Sequence, residues 1–531
     1  MRFHKLSLLK LVLTAFILTV LIMISCQKPG KNLSWESDIL VPLIHSSLGV
    51  DDIFTDSLLV ENPDQSFKLV LDQKINTMDN NALIEVHDTI AEDVFNVNIP
   101  VPFKLNPGQK ILEKNTDFMM KLGDVRLSKA KAKKAILKFL VISNFKQPMR
   151  VKYKVLSSEK NSIPFEITDD IPAAAAGSEV KLIREIDLSG YNIDFTGLNH
   201  NSINTIRSST TIWISPNADT AYYSKADSIT VTSIFDKLQL ESALGYFGQK
   251  NQMIADSSIL NTFQNFKSGS FSLENLSAEL QINNYVGADF QVRINKITSA
   301  NSSTGKQLDL NDAIVGRRLN ILRASRTSDD ISSITPQKYT YSLNNSNVKD
   351  LLMNMPDKLS YQIEYNINPL GNVSGGNDFI FADKSLEGNI HIEIPLKVKM
   401  DSLVIQSYSK INFDSESHIK SGYLNIYVAN LFPFDVEIQF YVLDDHKNIV
   451  DSLLKENSIS RHGTIDNNGI VIKATNDILR VKLDAELIQK LKTSKEVLIW
   501  ARINNPQQKH YLLYQNYNID IKLIVEANYE Y

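Results

Sequence analysis

The chain has 531 residues, of which 43% are hydrophobic and 22% are charged, and its formal net charge at pH 7 is −4. This composition is typical of a folded globular protein and excludes a disordered chain. The first 25 residues contain the bases Arg2, Lys5 and Lys10 and no acid, so without them 53 basic residues face 60 acidic ones, a net charge of −7. That balance excludes a general attraction to nucleic acid or to an anionic bilayer.

The N-terminus has the pattern of a secretory leader. Its three basic residues are followed by an uninterrupted run of apolar or hydroxyl residues, Leu11 to Ile24. A membrane-spanning helix needs about 20 apolar residues, so this run is short for one. Directly behind it lies Cys26, the only cysteine of the chain. With no second cysteine, disulfides and thiolate metal sites are not expected, and stability must come from sizeable packed cores.

The residues Met23-Ile24-Ser25-Cys26 resemble the lipobox of bacterial lipoproteins, with Met where Leu is common. The resemblance implies that residues 1–25 are a signal peptide removed by signal peptidase II. It also implies that Cys26 becomes the mature N-terminus and carries a diacylglycerol and an N-acyl chain such as palmitate. The alternatives are an ordinary signal peptide with an incidental cysteine, or an uncleaved N-terminal anchor.

Residues 26–34 are then expected to form a lipidated tether that reaches roughly 25 Å when extended. The segment Gln27-Lys28-Pro29-Gly30 has no acidic run resembling a surface-export signal, and position 27 is not the Asp associated with retention in the inner membrane. We therefore expect a cell-envelope protein anchored in the outer membrane and facing the periplasm.

Alternation of apolar and polar residues dominates the rest of the chain and predicts strands with one buried face. The clearest runs are Phe95, Val97, Ile99, Val101, Phe103 and Leu105; Ile390, Ile392, Ile394, Leu396, Val398 and Met400; and Ile519, Ile521, Leu523 and Val525. Pro100, Pro102 and Pro395 interrupt two of these runs. Because proline lacks a backbone N–H, these positions are expected at edges or bulges.

Three segments read as a strand, an asparagine turn and a second strand. The turns centre on Asn144, Asn284 and Asn430, and apolar residues stand two and four positions before each. Asparagine tolerates turn conformations, which suits the junction of two strands. This pattern predicts three related β units at 123–240, 270–400 and 415–531, joined by linkers at 241–269 and 401–414.

The region 35–122 ahead of these units also alternates, and residues 96–105 align with residues 389–398. It is expected to be an N-terminal β region, either a partial repeat or a β cap on the array.

Each unit is also expected to contain one short amphipathic helix. Apolar residues at helical spacing are Val348, Leu351, Leu352 and Met355 in the second unit, Leu487, Ile488 and Leu491 behind an Asp484 cap in the third, and Ile203 and Ile206 in the first.

The predicted fold class is mainly β, with tandem antiparallel β-sandwich-like repeats. Over about twenty residues per unit, the apolar strand, Asn-x-x-Pro-like turn and second strand resemble the water-stress-hypersensitive (WHy) domain, an Ig-like sandwich. Ala288 replaces the proline in the second unit.

The sequence gives no indication of a catalytic or metal site. Its nine histidines are scattered without the His-x-x-x-His or His-Glu-x-x-His spacing of zinc sites, and there is no Gly-x-Ser-x-Gly elbow for an acyl nucleophile. We therefore expect no enzyme activity and no cofactor apart from the lipid on Cys26. The leading hypothesis is an anchored binding or scaffold protein with an envelope protein, glycan or lipid as partner and no nucleic acid. The alternatives are a periplasmic carrier of lipid or another hydrophobic ligand, and a glycan hydrolase.

One run of basic residues is a candidate contact site. Lys129, Lys131 and Lys133 share one face of a strand, where they are expected to meet anionic groups such as lipid phosphates. A solvated strand face, or an edge that lysines protect from aggregation, is the alternative.

Overall fold

The structure is a computed structural model that describes residues 14, 36–54, 58–75, 89–97, 101–263, 266–411 and 419–530. Strands dominate it. The strands of its N-terminal half are β1 (Glu36–Gly49), β2 (Leu59–Glu61), β3 (Phe67–Ile75), β4 (Thr89–Asn96), β5 (Phe103–Leu105), β6 (Lys110–Met119), β7 (Arg126–Ser143), β8 (Met149–Lys160), β9 (Ile163–Ile171), β10 (Val180–Asp187), β11 (Asn192–Asp194), β12 (Thr205–Ile214), β13 (Ala221–Tyr223), β14 (Ser228–Tyr246), β15 (Lys250–Ile259) and β16 (Ser268–Leu273).

The strands of the C-terminal half are β17 (Ser277–Asn284), β18 (Phe290–Asn301), β19 (Lys306–Asp309), β20 (Arg318–Ile321), β21 (Ser325–Arg326), β22 (Ile334–Thr335), β23 (Gln337–Ser342), β24 (Lys358–Ile367), β25 (Asp378–Phe381), β26 (Leu386–Pro395), β27 (Lys397–Lys410), β28 (Ile419–Asn430), β29 (Asp435–Leu443), β30 (Ile449–Ser452), β31 (Ser458–Ser460), β32 (Thr464–Ile465), β33 (Val471–Lys473), β34 (Thr475–Leu483), β35 (Glu496–Asn504), β36 (Tyr511–Leu512) and β37 (Asn518–Glu530). The helices between them are α1 (Val50–Ile53), α2 (Val348–Met353) and α3 (Ala485–Thr493), with a 3-10 turn at Ile331–Ser333.

Contacts divide the chain into two compact units. The first comprises Met1–Ile53, Asn265–Ser270 and Lys399–Tyr531, and the second comprises Phe54–Gln264 and Phe271–Val398. The first unit contains one β-sandwich and the second unit contains two. The mainly β fold class with tandem antiparallel sandwiches, expected from the sequence, is confirmed.

The first sandwich lies in the second unit. One sheet has the order β10-β7-β14-β4 and the other β9-β8-β12-β6, while the short β11 pairs with both β7 and β8 and joins the two sheets. Apolar side chains fill the space between them, and Phe139 lies against Tyr153 with ring centroids 5.1 Å apart. The Tyr153 hydroxyl is satisfied across the core because it donates to the Ser233 hydroxyl at 2.8 Å.

The second sandwich belongs to the same unit and repeats this arrangement. Its sheets are β2-β3-β26-β17-β23 and β15-β24-β18-β19, with β20 also paired to β18. The third sandwich, in the first unit, has sheets β1-β37-β28-β34 and β16-β27-β35-β29-β30, with β31 and β36 paired to β29 and β27. In each sandwich the strand after the turn pairs with the same partner: β8 with β12, β18 with β24, and β29 with β35.

The N-terminal region 35–122 does not form a unit of its own within the described residues. Instead its strands join the three sandwiches. In the first, β4 pairs with β14 and β6 with β12; in the second, β3 pairs with β26 and with β2; in the third, β1 pairs with β37. The similarity of residues 96–105 to residues 389–398 reflects only the alternation that any strand with one buried face shows.

The two segments expected as linkers contain strands. Region 241–269 includes β15, which pairs with β24, and region 401–414 includes most of β27, which pairs with β35. The sequence of β15 is polar because this strand lies at the edge of its sheet, and its burial alternates only between half-buried and exposed residues. Such a strand lacks the apolar signal that identified the others.

The buried asparagines Asn284 and Asn430 explain the repeated turn. The side-chain oxygen of each accepts a hydrogen bond of 2.9 Å from the backbone N–H two residues later. The amide nitrogen of each donates to the backbone carbonyl four residues later and to a second carbonyl from a more distant loop. One buried side chain therefore supplies hydrogen-bond partners for three backbone groups at this turn, where the chain leaves the sheets.

In the first sandwich the equivalent residue is Ser143, whose hydroxyl accepts from the N–H two residues later at 3.2 Å. Asn144 stands one position further on and is hydrogen-bonded to a neighbouring turn. The alignment of Asn144 with the other two asparagines is therefore one residue out of register. Because strand side chains alternate, the inward residues of β7 are Phe139 and Val141. The pattern had indicated the residues two and four positions before Asn144, which lie on the other face.

Two of the three expected helices are confirmed. Helix α2 buries Val348, Leu351 and Leu352. Helix α3 is capped by Asp484, whose side chain accepts from the backbone N–H of Leu487 at 2.9 Å. The prediction of a helix around Ile203 and Ile206 was wrong.

At that position the first sandwich has a loop leading into β12. Asn204, which is buried and left-handed at φ 52°, fastens this loop to the backbone of residues 125 and 127 with hydrogen bonds of 2.7 and 2.6 Å. The side chain of Asn204 hydrogen-bonds to backbone groups, and such bonds compete with the backbone hydrogen bonds of a helix.

The long alternating runs are divided where prolines occur. The run around Pro102 becomes β4 and β5, and residues 98–100 between them lie outside the described residues. The run through Pro395 becomes β26 and β27, with Pro395 as the last residue of β26. A residue without an N–H is accommodated at this end because the chain leaves one sheet there and enters another.

Candidate functional site

The second sandwich contains an apolar cavity of about 250 Å³. Both sheets and helix α2 contribute to it. Its lining residues are Leu58, Leu71, Asp72, Gln73, Ile259, Leu260, Asn261, Thr262, Phe263, Ile297, Ser299, Leu310, Leu343, Val348, Leu351, Leu352, Pro356, Leu359, Ile390 and Ile392. Most of these side chains are aliphatic, and the polar ones come from a few positions on β3, β18 and the segment after β15.

Helix α2 is fastened to the sheet beside this cavity by side chains of β18. The Ser299 hydroxyl donates to the carbonyl of Leu351 at 2.8 Å, and the Asn301 amide donates to the carbonyl of Asn354 at 2.9 Å. These bonds satisfy carbonyls at the C-terminal end of the helix, where no intrahelical donor remains. They hold the apolar face of the helix against the cavity.

An ion pair joins β3 and β26 on the face of their sheet opposite to Ile390 and Ile392, which line the cavity. Asp72 of β3 accepts from His391 Nδ1 at 2.8 Å and from the Asn389 amide at 2.9 Å, both on the neighbouring β26. The hydrogen bond to His391 lowers the pKa of Asp72, and the same bond raises the pKa of His391 above its ordinary value of 6.5. Glu393, whose carboxylate lies 3.6 Å from His391 Nε2, supports the protonated form.

This pair predicts a pH-dependent contribution to stability. A histidine whose pKa is higher in the folded state than in the unfolded state stabilises the fold at pH values below its unfolded-state pKa. This contribution is lost as the pH rises through the folded-state pKa. The substitution His391→Gln is therefore expected to lower the free energy of unfolding by about 0.5 kcal/mol at pH 5.5 and by much less at pH 8.5. Urea unfolding at the two pH values measures this. His446→Gln, at an exposed turn, is the control, and an equal loss at both pH values would contradict the assignment.

A second, polar cavity of about 520 Å³ lies beside the first sandwich, within the same unit. Its lining residues are Lys129, Ala130, Lys131, Leu156, Ser157, Ser158, Glu159, Asn192, Ile193, Asp194, Gly197, His200, Arg207, Ser242, Ala243, Leu244, Arg326, Asp329 and Phe381. The strand β11 positions many of these groups because it pairs with β7 and β8 together. Asn192 stands opposite both Lys131 and Glu159, and Asp194 stands opposite Lys129.

Several charges of this cavity are already paired. Lys131 contacts Glu241 at 2.7 Å, and Arg326 contacts Asp329 at 2.7 Å. Asp194 accepts from the Thr196 backbone N–H at 2.8 Å.

The lysines expected as one contact site are only partly brought together. Lys129 and Lys131 line the polar cavity, whereas Lys133 does not and lies 3.9 Å from Asp383. Cys26, its tether and the leader run Leu11 to Ile24 lie outside the described residues, apart from Thr14. Their assignment as signal peptide and lipid anchor stays a prediction.

Both cavities contain residues that carried no signal in the sequence. Glu159 and Arg207 are isolated charges on β8 and β12, and only the pairing of distant strands brings them to one place. The aliphatic residues of the apolar cavity were expected as core, and alternation gives no sign that the core is incompletely filled.

No metal site is formed by the described part of the chain, in which no three His, Cys, Asp or Glu side chains are placed to hold an ion. Residues 302–305 form the turn between β18 and β19. The side chain of Asp444 accepts from two backbone N–H groups of its own turn, at 2.9 and 2.8 Å.

None of the helices in the described ranges is both long enough and apolar enough to cross a membrane. No protein-family model matches the chain. No curated protein matches it either. Among solved structures it is similar to a crystal structure of a candidate secreted protein from Parabacteroides distasonis ATCC 8503, with 11% sequence identity and a TM-score of 0.27 over 92% of this chain and 99% of that chain. A likeness at this TM-score carries no argument about the function of the chain.

Proposed function

We propose that this chain is a non-catalytic binding lipoprotein of the cell envelope and that its second sandwich binds an apolar ligand, a fatty acyl chain. The observation that carries the proposal is the apolar cavity between the two sheets and helix α2. This space is open on one side, and a concave surface of aliphatic side chains is typical of a ligand-binding site. Such a space favours a ligand whose apolar surface replaces the missing contacts.

The size and lining of the cavity support one ligand class. About 250 Å³ is slightly below the range of about 300–1,000 Å³ that holds whole small molecules, which suits part of a flexible chain. A polar ligand would lose its hydration without gaining partners along the aliphatic walls. A terminal carboxylate or ester can remain near the polar side, where Gln73 and Asn261 lie.

Fluorescence titration with cis-parinaric acid tests this site directly. The wild-type chain is expected to enhance the emission of the probe on binding. Leu359→Trp places a larger side chain on β24 at the cavity wall and is expected to weaken binding at least about tenfold, because the added volume occupies the space of the ligand. Circular dichroism of the variant checks that it remains folded.

The matched control is Leu370→Trp, which changes a leucine that is 84% exposed and outside the cavity. It should leave the affinity unchanged. Equal probe binding by the two variants, or no binding by the wild type, would contradict the proposal. Native mass spectrometry of protein extracted from membranes should also show a copurifying lipid.

The anchor and the envelope location are supported by the lipobox resemblance at Cys26 and need a test of their own. Growth with radioactive palmitate is expected to label the wild-type protein and to leave Cys26→Ser unlabelled. Incorporation that is equal in the two proteins would refute lipidation at this cysteine. Cell fractionation of the labelled protein would then separate outer-membrane attachment from other membranes.

A scaffold that binds a protein or glycan partner without an apolar ligand is the second form of this proposal. It would account for three tandem sandwiches but leaves the cavity unexplained. The glycan hydrolase alternative requires two carboxylates about 5 to 10 Å apart across a cleft. Of the three carboxylates that line the polar cavity, Asp329 is paired with Arg326 and Asp194 lies 3.2 Å from His200 Nδ1. Only Glu159 remains, so this alternative has less support than a binding role.

A further inference from the structure

The polar cavity of the second unit contains three charged side chains without a partner among the described residues. Lys129 on β7, Glu159 on β8 and Arg207 on β12 each line the cavity, and neither the ammonium, the carboxylate nor the guanidinium forms a hydrogen bond or ion pair there. Both signs of charge are therefore present at one place without neutralising each other. The neighbouring Lys131, Arg326 and their acids are paired.

The wall of the same cavity contains a buried polar group without a partner. Ser158 is only 2% exposed, and its hydroxyl accepts and donates no hydrogen bond within the described residues. The Nε of Arg207 is likewise buried and unpaired. Neither atom has surface exposed to the cavity, so a ligand there does not contact them, and the accessible charges of Lys129 and Glu159 carry the argument for a ligand.

These features discriminate between ligand classes. A simple anion would be attracted by Lys129 and Arg207 but would meet Glu159 and the carboxylates of Asp194 and Asp329, which repel it. An acyl chain would remove these charges from water without returning a hydrogen bond. A ligand with many hydroxyl groups avoids both costs, because each hydroxyl donates to a carboxylate and accepts from an ammonium or guanidinium.

We propose that this cavity is a saccharide-binding site. Its volume of about 520 Å³ lies within the range of small-molecule sites. Lys129 and Arg207 donate to ring or hydroxyl oxygens, Glu159 accepts from hydroxyl groups, and Asn192 between them can do both. Leu156, which is 38% exposed, supplies an apolar surface for the C–H face of a sugar ring. This site is separate from the apolar cavity and goes beyond the function proposed above.

The test uses the full mature chain on a glycan array carrying bacterial, plant and animal oligosaccharides, followed by calorimetry with the best-binding glycan. The wild type is expected to bind at least one oligosaccharide class. The double variant Lys129→Ala/Glu159→Gln changes two exposed side chains and is expected to bind it at least about tenfold more weakly, because two charged hydrogen bonds are lost. Inorganic phosphate at the same concentration is expected not to compete.

The control is Lys133→Ala/Glu185→Ala, which removes the same two charge types from positions outside the cavity and should leave the affinity unchanged. Absence of binding to every array glycan would overturn the proposal. So would binding that the cavity variant retains, or competition by phosphate, which would identify an anion site. Cis-parinaric acid binding by the same cavity variant should remain normal, so failure here is distinguishable from failure of the apolar site.

Discussion

A chain carrying Ile44→Asp and Leu48→Asp is expected to lose the native third sandwich while the two other sandwiches stay folded. Both residues are buried on β1, at 5% and 1% exposure, and they stand opposite Leu523 and Ile519 of β37. Each substitution removes apolar burial and places a carboxylate in the core, at a combined cost of about 6 kcal/mol or more. That cost is comparable with the whole stability of a typical domain.

Hydrogen exchange followed by mass spectrometry measures this outcome strand by strand. Amides of β28 and β37 should exchange rapidly in the double variant, whereas amides of β7 and β14 in the other unit should stay protected. The matched control is Leu40→Asp, on the same strand but 70% exposed, which should cost about 0.5 kcal/mol or less. If the amides of β28 and β37 were protected from exchange in the double variant as in the wild type, the third sandwich would fold without β1.

The second large effect is expected from Asn430→Ala. The substitution removes a side chain with 0% exposure and leaves the N–H of Phe432 and the carbonyls of Phe434 and Arg461 without their partners. The loss of these bonds inside a dry core should lower the free energy of unfolding by about 3–5 kcal/mol. Urea unfolding followed by Trp500 fluorescence, in a background with the other two tryptophans replaced by Phe, reports on the third sandwich.

Asn144→Ala is the informative control for this prediction. The sequence pattern places Asn144 at the equivalent position, yet it makes its two hydrogen bonds at an exposed turn. Its removal should cost about 1 kcal/mol or less, measured with Trp213 of the first sandwich as reporter. Comparable losses for the two asparagines would contradict the one-residue difference in register between them.

Local patterns predicted the parts of the fold that depend on neighbouring residues. The strand after each turn, such as β29 with its buried Val436, Ile438 and Phe440, follows directly from alternation. Helix α3 follows from its apolar spacing and from the cap at Asp484. In these cases the information is contained within about ten consecutive residues.

The partners of the N-terminal strands could not be predicted in this way. Nothing in β1 or β3 specifies which of three similar sandwiches each joins, because alternation reports that a face is buried and not what covers it. The polar edge strand β15 was missed because solvent on one side of the sheet permits side chains that conceal the period. The one-residue difference at Ser143 arose because serine replaces the side-chain acceptor that asparagine provides elsewhere.

The candidate sites were less predictable than the fold. Lys129 and Lys131 were identified from their spacing on one strand, whereas Glu159 and Arg207 reach the same cavity only through the pairing of β7, β8, β11 and β12. The apolar cavity depends on unfilled volume between side chains that all satisfy the core pattern. Sequence patterns record residue type and period but not volume, so neither cavity had a signal of its own.

The N-terminal strands β1, β3 and β4 each join a different sandwich, and this distribution has a consequence for the order of folding. Contacts of the donated strands span 142 positions from Ala91 to Ser233, 325 from Lys68 to Glu393, and 475 from His45 to Asp520. During synthesis the strands appear as β1, β3 and β4, but their partners appear as β14, β26 and β37. The strand made first therefore waits longest for its partner, with its edge open to aggregation, and the sandwiches close in the reverse order of their donated strands.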